Sequence, residues 1–164
     1  MADFEPIFKF LIRPDIEGEY SNTPHDAGGE TKYGISKRSF PNVDIKSLTV
    51  ERAKELYKEH YWNPLHGSKL PQPLALTLFD FAVNSGLDFP VRELQKFLGV
   101  VVDGKFGPKT LRAVQALDEK EVRALTNQIN DARLRNFLRL ANKPTQKRFL
   151  LGWLRRLMEV IKEL

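Results

Sequence analysis

From Pro41 to the last residue, every apolar repeat runs at spacings of three and four, so a mainly α architecture is expected. Thr49 stands where a helix cap is wanted, ahead of Ala53, Leu56, Tyr57 and Tyr61 on one side. Residues 73–85 form a strongly apolar helix that Gly86 closes, and Pro90 and Gly99 bracket the next. Pro108 opens a short helix, and Asp118 with Glu121 spells a capping box for a long one. Pro144 opens the last, whose apolar stripe is Phe149, Leu150, Leu154, Leu157, Met158 and Ile161. Near the start, Phe4, Ile7, Phe8 and Leu11 predict a helix that Pro14 ends before Glu17. One stretch breaks the pattern. Residues 18–36 are rich in turn formers, and within them ETKYGIS reads as one arm of a small β-hairpin.

At 164 residues and 41% apolar, the chain can bury a real core as one domain, or one two-lobed domain. It has no cysteine, which excludes disulfide scaffolds, thiolate zinc sites and a cysteine nucleophile. No apolar run approaches the roughly 20 residues of a membrane span. Asp3 and Glu5 near the start, with no small-residue cleavage site, argue against a signal peptide. The net charge of +5 is unevenly placed: residues 132–164 carry nine Lys/Arg against two acids. Such a basic third suits a polyanionic neighbour, or is a solvated helix face with internal pairing. Arg148, Arg155 and Lys162 recur every seven residues and mark a possible contact with an anionic wall polymer or outer membrane. A nucleic-acid binder is the weakest alternative, because no DNA- or RNA-binding motif accompanies the charge.

Chemistry concentrates in EGEYSNTPHDAGGETKYGIS, residues 17–36. Glu17 follows a helix end, Asp26 comes nine residues later in a glycine-rich turn, and Thr31 and Tyr33 follow on the hairpin. Glycosidic hydrolysis calls for two carboxyls of this kind, one protonated to donate to the leaving oxygen and one ionised to activate water. A helix end and a turn set them apart with room for that water, the inverting arrangement. By spacing alone, two acids nine residues apart are common, and surface carboxylates are the plainer reading.

The ordered string Glu17-Gly18, Tyr20, Asp26, Gly28-Gly29, Thr31 and Gly34-Ile35-Ser36 resembles the opening of the N-acetylmuramidases of glycoside hydrolase family 108. The resemblance continues through Tyr57, Tyr61-Trp62, FDFAVNSG at 79–86, LQKFLGVVVDGKFGPKT at 94–110 and RFLLGWLRR at 148–156. Glu19 stands where the family has a glycine, and Ala27 where it has a proline. The resemblance implies a lysozyme-like two-lobed fold with a small hairpin near the active site. It implies a catalytic lobe over residues 1–88 and a helical peptidoglycan-binding part over 89–164. Glu17 is then the general acid, with Asp26 and Thr31 holding the water. The substrate is peptidoglycan, cut between N-acetylmuramic acid and N-acetylglucosamine by a monomer, most simply a phage endolysin released through a holin-type or dedicated route. Alternatives are a lytic transglycosylase, which needs one carboxylic acid, and a non-catalytic wall-binding module.

Tyr33, Tyr61, Trp62 and Asn84 are the expected substrate contacts; for Tyr61 and Trp62, core packing is an equal alternative. Thr77, Asp80 and Asn84 form a narrow polar stripe on the otherwise apolar helix 73–85. Buried polar groups must be paired, so Asn84 is expected to line a wet cleft and Asp80 to hydrogen-bond loop backbone. His25, His60 and His66 lack ligand spacing, and DGKFGPKT lacks the acidic alternation of a calcium loop, so neither a metal nor a cofactor is expected.

Overall fold

The computed structural model describes residues 1–18, 20–22 and 29–164. The fold is mainly α with one small antiparallel hairpin, as the periodicity predicts. Two compact units make it up: residues 3–60, and residues 61–164 together with Met1 and Ala2.

In the unit of residues 3–60, α1 (Phe4–Leu11) begins at Asp3, whose carboxylate accepts from the Glu5 amide. Its apolar face buries Phe4, Ile7, Phe8 and Leu11. The hairpin comprises β1 (Thr31–Lys32) and β2 (Ile35–Ser36), so ETKYGIS holds both arms and the turn. Helix α2 (Val50–Tyr57) is capped by Thr49, which accepts from the Arg52 amide. It meets α1 through the tilted Phe8–Tyr57 ring pair and the Glu5–Lys54 ion pair. The helical path runs on through one π turn, Lys58–Trp62.

The other unit is built around α3 (Gln72–Ser85), in which every residue from Leu74 to Ala82 is buried. Around it pack α4 (Asp88–Leu98), α6 (Glu119–Ala141) and α8 (Leu150–Lys162). The shorter α5 (Pro108–Gln115) and α7 (Pro144–Lys147) complete the helices. Gly86 and Gly99 end α3 and α4, and Asp118 and Glu121 exchange both bonds of the capping box that starts α6. The DGKFGPKT loop is held by Gln95, which donates to Asp103 Oδ1 and the Lys105 carbonyl and accepts from the Gly104 amide.

The polar stripe of α3 corrects an expectation. Among the described residues Asp80 bonds no loop backbone; its carboxylate meets the side chains of Arg156 at 2.9 Å and Arg133 at 2.7 Å. Asp80 is 1% exposed and Arg133 is 0% exposed. Two arginines of the basic third are thus turned inward, while its other seven Lys/Arg are exposed. The charge of the C-terminal region is partly internal wiring, which sequence counting cannot separate from surface.

Candidate active site

Glu17 sits beyond α1 in a turn where the amides of Ile16, Glu17 and Gly18 all donate to the Arg13 carbonyl, at 2.9–3.0 Å. Three donors on one acceptor fix the backbone that carries the carboxylate. Gly18 makes the turn possible: a Cβ there would stand 2.3 Å from the Ile12 carbonyl oxygen. The Glu17 side chain is half-buried.

It lies against the hairpin turn. Tyr33 and Gly34 both have positive φ, 51° and 73°, as the two central residues of a type I′ turn do. Tyrosine is an uncommon occupant of that conformation, and the turn is held from below. The buried Tyr57 hydroxyl donates to the Tyr33 carbonyl at 2.8 Å. A Cβ on Gly34 would lie 2.4 Å from that hydroxyl oxygen and 3.1 Å from both Cβ and Cδ of Glu17. Glu17, Gly34 and Tyr57 therefore form one packed corner, and Tyr57, which the sequence places on a helix face without a role in the site, is its support. The Lys32 ammonium stands 5.3 Å from the Tyr33 ring centre.

Thr31 also belongs to this unit. Its backbone exchanges two hydrogen bonds with Ser21, at 2.8 and 2.9 Å, and its hydroxyl donates to the Gly29 carbonyl. Beside that bridge the Tyr20 hydroxyl donates to Glu30 Oε1 at 2.8 Å. These bonds hold Tyr20 and Ser21 against Glu30 and Thr31. Asp26 itself lies outside the described residues, as do Glu19 and His25.

The remaining expected contacts fall in the unit of residues 61–164. Tyr61 is half-buried. Trp62 is a correction. It is 3% exposed, its ring is edge-on to Phe79 at 5.9 Å, and its indole N–H donates to Ser68 Oγ. A Cβ on Gly67 would stand 2.3 Å from that ring, so the indole is packed on its face and has no surface for a sugar. Asn84 is half-buried and lines a hollow of about 330 Å³ with Phe89, Asn136, Arg139 and Trp153. His60 packs its ring edge-on to Phe40 and His66 lies beside Phe106. Among the described residues, no group of three His, Asp or Glu is gathered to hold a metal ion.

The corner can be tested for coupling. Gly34→Ala combines an unfavourable positive φ with a clash on Tyr57, and a cost of about 1–3 kcal/mol is expected in urea unfolding. Tyr57→Phe removes the atom the new methyl strikes, so the double variant is expected to be clearly less destabilised than the two single costs added. Strict additivity would show that the corner is not packed as described.

Residues 13–86 match the family described as Glycosyl hydrolase 108, and residues 89–158 match the one described as Predicted Peptidoglycan domain. A solved structure from Brucella abortus, that of SagA, is 32% identical with a TM-score of 0.77, over 98% of this chain and 90% of that one. No curated protein matches the sequence. The class so defined is a glycoside hydrolase acting on peptidoglycan. The chain belongs to the glycosyl hydrolase 108 family.

Proposed function

We propose that the chain cuts the β-1,4 bond between N-acetylmuramic acid and N-acetylglucosamine, with Glu17 as the general acid. The observation that carries this is the seat of Glu17, a half-buried carboxyl on a triply anchored turn, resting on Gly34 of the hairpin. A proton donor must be aimed at the leaving oxygen before the bond breaks, and a fixed backbone with packed side-chain atoms meets that need. Glu17 passes its proton to the glycosidic oxygen as the C–O bond opens. Water adds to the sugar carbon, and Asp26 takes the proton that the water loses. Thr31 orients this water, and Tyr33, Tyr61 and Asn84 contact the glycan. Residues 1–88 perform the cleavage and residues 89–164 engage the wall. The setting is a phage endolysin, released through a holin-type or dedicated route.

Mass analysis of digested cell wall tests the reaction type. Hydrolysis is expected to leave reducing N-acetylmuramic acid ends. Ends one water lighter, in the anhydro form, would instead make the chain a lytic transglycosylase, and no new ends would make it a binding module.

A further inference from the structure

Helix α8 has an inner and an outer apolar face. Leu157 is buried, as the periodicity predicts for a helix packed into its unit, and so is Val160. Met158 and Ile161, read from the sequence as part of the same packed stripe, are instead on the surface, with Leu151 beside them. Leu151 is 60% exposed and Met158 is 54% exposed. These two are seven residues apart and form one row along the helix. The helix expected from Pro144 onward is broken at a turn, Arg148–Phe149, before α8; Arg155 and Lys162, both exposed, form a second row at the same interval, and exposed Arg148 precedes it in that turn. The rows adjoin: Arg155 is four residues from Leu151 and three from Met158, and Lys162 is four from Met158.

We propose that α8 docks lengthwise on the face of an anionic phospholipid bilayer, seating Leu151 and Met158 at the headgroup–acyl boundary while Arg148, Arg155 and Lys162 meet lipid phosphates. Charge complementarity identifies the partner as anionic. Of the acids nearby, Glu159 pairs with Lys162 at the surface, a contact worth little in water, which leaves Arg148 and Arg155 to set the sign of the face. The apolar row separates lipid from a water-soluble polyanion. A polymer such as teichoic acid would need the cations alone, whereas a bilayer face offers phosphate above and hydrocarbon below, in the order that adjoining cationic and apolar rows require. No described helix is long and apolar enough to cross a membrane, so the contact is with the membrane surface. The inference does not depend on which bond the chain cleaves, because vesicle binding is read with no glycan present.

Cosedimentation with phosphatidylglycerol/phosphatidylethanolamine vesicles, against pure phosphatidylcholine, is the test. The protein is expected to bind the first and not the second, with binding weakening as salt rises. Arg148→Glu/Arg155→Glu/Lys162→Glu is expected to lower partition on the order of 100-fold. Leu151→Ser/Met158→Ser, which keeps every charge, is expected to lower it about tenfold. All the changed residues are exposed, so thermal melts of both variants should match that of the parent and confirm folding. Absence of vesicle binding overturns the proposal. So does loss on charge reversal with the serine variant unchanged, which would mark a polyanion contact only. A concentration-dependent dimer that the serine changes abolish would make the face an interface between two copies of the chain, and would equally overturn it.

Discussion

Glu17→Gln is expected to lower cleavage of cell wall by at least the 10²–10⁴-fold that a positioned general acid contributes, while the protein stays folded. Glutamine fills the same volume against Gly34 and leaves the three amides on the Arg13 carbonyl untouched. What it lacks is a proton to give to the leaving oxygen. Because the packing survives, the melting temperature should hold or rise, as when a site shaped for catalysis is relieved of its function. Glu17→Asp gives a second reading of the same site. It keeps the acid but withdraws it by one methylene from the Gly34 corner, so its loss is expected to appear in kcat more than in KM. Retention of more than a tenth of the parent rate by Glu17→Gln would remove Glu17 from the chemistry.

The parts of the fold that were legible in the sequence are those set by local rules. Thr49, Gly86, Gly99, Pro108 and the Asp118–Glu121 box mark helix ends through bonds made within a few residues, and the structure has them there. The hairpin was half legible. Tyr33-Gly34 does not look like a two-residue turn, because the positive φ at Tyr33 is supported by Tyr57, 24 residues away. Long-range partners are what periodicity leaves out. Arg133 lies four residues from both Ile129 and Phe137, and Arg156 four from Val160, all three of those apolar residues being buried. Helical spacing thus put both arginines on inward faces, although their charge argued for the surface. Trp62 shows the same limit. Its amphipathic ring fits a sugar or a core equally well, and only the neighbours Phe79, Ser68 and Gly67 decide. In the candidate site, the motif singled out Glu17, whereas the corner that supports it comes from residues on three separate segments.

Asp80→Ala is expected to be the most destabilising single change, costing about 3–5 kcal/mol, because it takes the Asp80 carboxylate away from two buried guanidinium groups. Arg133 is the critical one. It is fully buried, its Cζ stands 5.4 and 5.3 Å from the Phe81 and Phe137 ring centres, and its Nε and Nη1 make no hydrogen bond among the described residues. The ring faces offset part of its desolvation, but Asp80 supplies the opposite charge. Arg156→Met should cost much less, since the remaining Asp80–Arg133 pair is neutral. Replacing all three by apolar residues should recover most of the loss. Acid titration gives an independent reading. Burial raises the Asp80 carboxyl, but Arg156 and then Arg133 outweigh it and hold the group below its usual value. A depressed folded pKa contributes stability in full above the unfolded carboxylate value, about 3.9, and loses it as pH falls through the lower folded value. Unfolding of the parent should therefore show an acid-dependent loss that Asp80→Asn lacks, the asparagine protein being weaker already at neutral pH. Below its own melting temperature, Asp80→Asn should still cleave cell wall at close to the parent rate, because the triad supports α3, α6 and α8 from inside their unit. A full loss of cleavage in that folded variant would instead tie Asp80 to the chemistry. A stability cost under about 1 kcal/mol would mean that the two arginines find their compensation elsewhere.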